Sequence, residues 1–534
     1  MKLRRLLPFL AGLALALPQV MAASDVLSSV SNANSRIGHP DNQAARGFTL
    51  IKIAEGSDPI ENPSGVITHF GFLNDFPPQA IERTRTEPDE NTYLVFEKGL
   101  EGPTPGFDYG THFLFQGHEN GNDLAYITRI NLDVTDSAHR ITLLTPPGAN
   151  GKTGFNSIDG SIWNPFTRSL LFTQETGFPR GGVIEATPDW PPAVRRLDGI
   201  LGSSGYEGIH PDNHGNLIIL EDAGGTTVNA VRGDPNSPLA PRQPNSFVYL
   251  FVPDDKADLS KGGRLFAMQV LVDRQPVIFH AGDAVGDVFA DAQLKLHTPG
   301  TIWPFNWVLL HDTSVDGTAP FNSNALAKAA GATPFKRPEN GVFQPGSNFN
   351  TFFFDVTGDT NANAGNQPEL AARGAWGAIF RADLTAPSLG GGLLSVFFLG
   401  DRDHTAFDNM TFADGNTLLV GEDRGDGLHR QLDRLDSVWA FTIRGPRTGS
   451  APAARLIALG RDAESEADAV MLDAGTPGFQ NDGDNEVTGL FVSDGDTSKQ
   501  RMLGTLKSVS QPGARWFFTQ QHGKNTIFQI VRSN

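Results

Sequence analysis

The sequence predicts an all-β protein, a six-bladed β-propeller with long loop insertions. Three observations predict it. Short runs rich in Phe, Val, Leu and Ile recur along the chain: TYLVFEK (92–98), THFLFQG (111–117), SLLFTQE (169–175), NLIILED (216–222), SFVYLFV (246–252), NTFFFDV (350–356), TLLVGED (417–423), SVWAFTI (437–443), RWFFTQQ (515–521) and TIFQIV (526–531). Gly, Asp, Asn and Pro punctuate these runs as turns punctuate strands, and the 59 Gly and 36 Pro suit many turns and few long helices. One hairpin pattern also repeats at irregular spacing, which is how propeller blades read in a sequence.

The elements follow in order. MKLRRLLPFLAGLALALPQVMAASDV opens with Lys2, Arg4 and Arg5, continues with an apolar stretch from Leu6 to Leu17, and offers small-residue cleavage sites around Ala22 and Ala23. It reads as a signal peptide over residues 1–23, followed by a single propeller domain over 24–534. Export to the periplasm or the exterior is expected, and Arg4-Arg5 leaves the general secretory and twin-arginine routes both open. No other segment has the length of a membrane span.

The repeat is clearest in YEGIHPDNHGNLIILEDAGG (206–225) and FDNMTFADGNTLLVGEDRGDG (407–427). Each runs aromatic, acid, Gly or Asn, apolar strand, D/N/G turn, second strand, Glu-Asp and Gly. FNSIDGSIWNPFTRSLLFTQETGFPRGG (155–182) is a looser copy, and RPENGVFQPGSNFNTFFFDVTGDT (337–360) keeps the order. NEVTGLFVSDG (485–495) pairs with ARWFFTQQHGKN (514–525) after an insertion, and THFLFQGHENGND (111–123) marks a sixth unit. Residues 223–245 and 281–335 read as long loops. Helical periodicity is confined to NSNALAKAAGA (322–332) and the acidic DAESEADAVML (462–472).

The net charge is -18 and the pI about 5.1. That argues against a nucleic-acid backbone as partner, because phosphate contacts need clustered Lys and Arg. There is no cysteine. Any metal site must use oxygen and imidazole ligands, which favours hard cations such as Ca²⁺ or Mg²⁺.

Antiparallel geometry gives the acids a meaning. The first residue of one strand and the last of the next lie at the same end of a hairpin. Asn156, Glu207, Glu339, Asp408, Asn409 and Glu486 begin first strands. Glu119, Glu175, Glu221, Asp222, Asp355, Glu422 and Asp423 end second strands, and Gln520, Gln521 and His522 stand there in the last unit. If the units are blades, these groups converge on one mouth of the central channel. Buried like charges repel, and bound cations relieve them. Asp212, Asp414 and Asp494, inside the turns, are expected to bond local backbone N–H groups.

At RPENGVF…FFFDVTGD, YEGI…LIILEDAGG, FVPDD (251–255) and NEVTGLFVSDG…TQQHG, the chain resembles the PhoX-type alkaline phosphatase family over roughly residues 90 to 530. The resemblance implies an exported, metal-dependent phosphoester hydrolase on a propeller fold, with more than one Ca²⁺ in the channel. It implies Glu207, Glu339 and Glu486 as metal ligands, with Glu175, Glu221, Glu422, Asp408 and Asn409 as further candidates. Arg337 and Arg424 are the candidates for steadying the transition state. His210 is either a general acid or a structural histidine. Characterised members also bind iron through a cysteine, and this chain has none. Hard cations alone then fill the cluster, or another oxygen or His118, His210 or His522 replaces the thiolate, or the chemistry is lost. The expected partner is a small phosphorylated substrate, and the protein is expected to be a monomer. Two other readings stand beside this one: a lactonase-like propeller hydrolase with one Ca²⁺, and a non-catalytic Ca²⁺-stabilised propeller that binds a partner.

Overall fold

Most of the apolar runs become strands, and each strand pairs antiparallel with a neighbour. The computed structural model describes residues 30, 41–73, 86–385, 390–443, 453–460, 486–499, 514–522 and 524–533. Most of their strands group into six four-stranded units, the fifth of which gains Gln43–Ala44 as an outer strand beside Ala453–Ala458. The first is Glu87–Val95, His112–Glu119, Tyr126–Asn131 and Ile141–Leu143. The second is Ile158–Asn164, Ser169–Gln174, Gly182–Ala186 and Val194–Arg196. The third is Tyr206–Pro211, Leu217–Glu221, Val248–Pro253 and Gly263–Val272, and the fourth Gly341–Phe343, Thr351–Val356, Ala378–Leu384 and Gly392–Leu399. The fifth is Phe407–Asp414, Thr417–Glu422, Ser437–Thr442 and Ala453–Ala458. The sixth takes Val487–Ser493, Arg515–Gln520 and Thr526–Arg532 from the end of the chain, and Phe48–Ala54 from its beginning.

The first strand of each unit touches the first strand of the next, and the sixth returns to the first. The result is a β-propeller whose inner strands ring a channel. Pairing of Phe48–Ala54 with Thr526–Arg532 ties the two ends of the ring together. Unit packs on unit face to face, so the middle strands are covered on both sides. That is why SLLFTQ and TFFFDV are buried along their whole length and do not alternate. Aromatics fill the wedges between units: Phe353 of the fourth meets Phe412 of the fifth edge to face, with centroids 5.6 Å apart. Each such ring contributes about 1.5–3 kcal/mol by burial.

Two expectations about the insertions change. Residues 223–245 contain a small ribbon, Thr227–Asn229 against Leu239–Arg242. Residues 281–335 are more than a loop. They carry short helices and the strand Trp303–Asp312, which pairs with Gly263–Val272 on one side and Gly392–Leu399 on the other. This strand joins the third and fourth units into one sheet, of ten strands once the short Gln275–Pro276 paired with Gly263–Val272 is included. Within the same region the expected helix is Ser323–Ala329, capped by Asn322, whose side-chain oxygen accepts from Ala325 N. The expected signal peptide and the acidic 462–472 helix lie outside the described residues. No helix among the described residues is long and apolar enough to cross a membrane.

Candidate metal centre

Every inner strand brings a carboxylate to the same end of the channel. Asp89 and Glu90 come from the first unit, Asp159 from the second, Glu207 from the third and Asp408 from the fifth. Glu339 and Glu486 sit just before the inner strands of the fourth and sixth. Their oxygens gather into three groups, each with atoms within 4.8 Å of one another: Asp89 with Glu119 and Asp159, Glu175 with Glu207 and Asp222, and Glu207 with Glu339 and Asp408. Glu207 belongs to two of them. Glu486 joins through hydrogen-bond contact with Asp408.

Local sequence builds this crowding. In five of the units the register between the first two strands shifts next to the acid, as a β-bulge does. A bulge bends its strand and re-aims the side chains around it. Glycine then lets adjacent inner strands close up. A Cβ on Gly160 would stand 2.1 Å from the Glu207 carbonyl oxygen, and one on Gly208 would stand 2.9 Å from that of Glu339. Gly208 N donates to that Glu339 oxygen at 2.9 Å.

Strand alternation sorts the acids at the ends of the second strands. Glu221 pairs across the hairpin with Tyr206, and Glu422 with Phe407. Residues directly opposite point to the same face, so Glu221 and Glu422 follow the aromatics away from the channel. The next residues point the other way. Asp222 enters a carboxylate group with Glu207, and Asp423 comes to 4.0 Å from Arg337. The expectation that Glu221 and Glu422 lie on the metal rim is therefore corrected by one residue in each hairpin. Glu221 accepts from Ser204 Oγ, Tyr249 OH (2.7 Å), Asn324 Nδ2 (2.9 Å) and Phe247 N (3.0 Å). Its oxygens are fully engaged. Glu422 accepts from Arg424 Nη2 at 2.7 Å and Thr405 N at 3.1 Å, both on Oε1, and its Oε2 is buried without a hydrogen-bond partner among the described residues.

The channel acids have fewer donors. Asp89 Oδ1, Asp159 Oδ1, Asp222 Oδ1 and Asp355 Oδ2 are buried with no hydrogen-bond partner among the described residues. Burial pushes Asp159, Glu175 and Glu207 well above the ordinary carboxylate range, and neighbouring acids push them further. Glu119 and Glu339 rise to about 8 for the same reasons. Arg337 is the cation set among these groups. Its Nε donates to Asp222 at 2.8 Å, and its Nη2 lies 3.2 Å from Glu339 Oε1. Arg337 adopts the left-handed region at φ 58°, which its surroundings pin. Thr357 N donates to its carbonyl at 2.9 Å, and the adjacent Lys336 is locked in a buried pair with Asp359 at 2.8 Å.

Orphaned buried oxygens converging at short range fit hard cations, whose coordination is built from such ligands. They do not fit an iron centre held through a thiolate, since every donor here is oxygen and the chain has no cysteine.

Other expected residues fall elsewhere. Arg424 is wholly buried against Glu422 and lies 3.8 Å from Asp436, so it is not at the channel acids. His210 lies beyond them, with Nε2 3.0 Å from Asn340 Oδ1, and burial pushes its imidazole down to about 4. Neither is placed to serve as a catalytic group at the channel acids. His118 stacks on Tyr126 and bonds Thr128, a structural role. Asn156 braces the Asp123 turn. Asn409 holds Asp408 at 3.0 Å and accepts from Leu490 N at 3.3 Å, which ties the fifth unit to the sixth. His522 stands at the rim, 3.4 Å from Glu87 and 3.9 Å from Glu486.

Sequence reasoning missed Asp89, Glu90 and Asp159. The signal for Asp159 is the acid-glycine pair: Asp159-Gly160 matches Glu207-Gly208. The signal for Glu90 is Glu90-Asn91, which matches Glu339-Asn340.

No known family's sequence profile matches the chain, and no curated protein sequence is similar to it. Among solved structures the chain is similar to Pseudomonas fluorescens PhoX in complex with vanadate, a transition state analogue. The identity is 12%, the TM-score 0.53, and the match covers 95% of this chain and 98% of that one. Weaker similarities reach a Trichoderma reesei protein of carbohydrate-active enzyme family AA12 in a calcium structure (10% identity, TM-score 0.33, 94% and 100% covered). Another is the PQQ domain of Coprinopsis cinerea pyranose dehydrogenase in its holo form (10%, TM-score 0.32, 93% and 98%). The PhoX match shows a PhoX-like propeller fold.

Proposed function

We propose that this protein is an exported, metal-dependent phosphoester hydrolase of PhoX-like type, a monomer with a single propeller domain after a signal peptide over residues 1–23. One observation carries the reading: carboxylates from five units gather into three groups, Glu486 of the sixth joins through Asp408, several of their oxygens are unpartnered, and Arg337 pairs with Asp222 and Glu339 among them. Such a site suits an anion only when cations offset the acids. A fold similar to that of a phosphatase crystallised with vanadate supports the choice of phosphate.

Glu175, Glu207 and Asp222 would hold one cation, and Glu207, Glu339 and Asp408 a second, with Glu207 between them. Asp89, Glu119 and Asp159 are a third candidate set, and Glu486 supports Asp408. Bound Ca²⁺ or a similar ion supplies charge neutralisation for a phosphoryl group. Arg337 orients that group: its planar guanidinium keeps donors beyond those used on Asp222 and Glu339, and these bind substrate oxygens as charge develops. The Lys336–Asp359 pair and Thr357 keep the guanidinium in place. Three carboxylate groups favour this reading over a lactonase-like site with one ion.

The test is elemental analysis of the purified protein, with hydrolysis of a generic phosphomonoester before chelation, after it, and after Ca²⁺ is returned. Two or more bound ions and activity that disappears and recovers are expected. One ion with no phosphatase activity would transfer the reading to the lactonase-like or non-catalytic alternatives.

A further inference from the structure

The inner strands have a second end. There Leu94, Trp163, Pro211, Phe343 and Val492, from five of the six units, line a cavity of about 110 Å³ together with His210. It lies at the far end of the strands from the acids. Its volume is below the ~150 Å³ of an apolar cavity that binds benzene, so a single ring fits only with part of it at the open mouth.

Asn340 stands between the cavity and the acids, and it fixes the state of His210. Asn340 Nδ2 donates to Glu90 Oε1. Its Oδ1 is therefore the end that faces Gly341 N at 2.7 Å and His210 Nε2 at 3.0 Å. Gly341 N can only donate, so Oδ1 accepts from both. This network assigns the proton of the neutral imidazole to Nε2 and leaves Nδ1 as a bare acceptor. Nδ1 has no hydrogen-bond partner among the described residues.

We propose that this cavity is a second binding site, for a small uncharged hydroxylated aromatic ring of the phenol type. The ring fills the apolar space and its O–H donates to His210 Nδ1. A ring that only accepts hydrogen bonds gains nothing from Nδ1. An aromatic carboxylate would set its charge against Asp494 and Asp496, which also line the cavity. The bound ring would not touch the channel acids, to which His210 is linked only through Asn340 and Glu90.

The experiment is calorimetric titration of the full-length protein with phenol, anisole and benzoate, repeated on His210→Leu. Phenol should bind saturably at one site, with anisole about fivefold weaker for want of one hydrogen bond and benzoate not binding. In the variant phenol should fall to the anisole level. Equal affinities for phenol and anisole, or no binding of either, would overturn the proposal. Should His210→Leu fail to fold, crystals of the unmodified protein soaked in phenol decide the matter. A ring in the cavity with its oxygen within hydrogen-bond distance of Nδ1 supports it; a ring elsewhere, or none, overturns it.

Discussion

Glu221 and Asp222 are neighbours in sequence and live in different electrostatic worlds. Glu221, opposite Tyr206, accepts from four donors on the far face of its hairpin. Asp222 faces the channel with Oδ1 unpartnered and Glu175 and Glu207 beside it. Glu422 and Asp423 repeat only the change of direction: Asp423 turns towards Arg337, while Glu422 accepts from Arg424 and Thr405 N on Oε1 and keeps a buried, unpartnered Oε2. A folded chain can bury a carboxylate it has matched with its own donors. A group it leaves unmatched, among others like it, points to a ligand supplied from outside.

The largest effect should come from Glu207, because two carboxylate groups share it. Glu207→Gln keeps the shape and removes the charge. Loss of at least one bound ion and a fall in kcat/KM of about 10³ or more are expected, on the scale of removing a group that acts on transition-state charge. Metal analysis beside kinetics checks this. Full metal content with unimpaired turnover would break the contrast with Glu221.

Next comes Arg337→Met, which removes the cation and keeps the ions. A loss of ~10²–10³ in kcat is expected, the range seen when one donor to a developing oxyanion is deleted. Ion content should stay the same. A change in ion content with little change in rate would make Arg337 a partner of the acids and not of the substrate.

These contrasts were only partly legible in the sequence. The strands were, because propeller packing covers both faces and leaves continuous runs such as TFFFDV. The convergence of Glu207, Glu339, Asp408 and Glu486 was legible too, since each lies within two residues of the start of an inner strand. The choice between Glu221 and Asp222 was not. It depends on a register shift inside the hairpin, and one residue of slip exchanges the faces. Asp89 and Glu90 were hidden because Glu-Pro-Asp-Glu-Asn is too polar to read as a strand. The strand Trp303–Asp312 was hidden because its pairing partners are set by tertiary contacts far along the chain.

Glu221→Gln tests the self-matched side. The amide sets an NH₂ against groups that all donate, so one buried donor loses its acceptor. A stability loss of about 1–3 kcal/mol is expected, read by thermal or chemical unfolding, with ion content and KM unchanged. An accompanying loss of metal would mean that the two faces of the hairpin are not independent.

The smallest effect carries the argument to a buried base, where the sign reverses. His297 donates from Nδ1 to Gln293 O at 2.8 Å, and its Nε2 is buried without a partner among the described residues. Burial pushes its imidazole down to about 4, with Lys336 and Arg373 adding to the shift. The unfolded chain therefore takes up a proton near pH 6.5 that the folded protein refuses until about pH 4. Stability from this residue is complete above pH 6.5 and is lost as the pH falls towards 4. Between pH 7 and 5.5 the loss amounts to about 1 kcal/mol. His297→Gln should flatten the stability-versus-pH curve by that amount relative to the unmodified protein. An unchanged slope would mean that the folded protein protonates His297 as readily as the unfolded chain does. Burial without a partner would then not be what sets the charge of that residue.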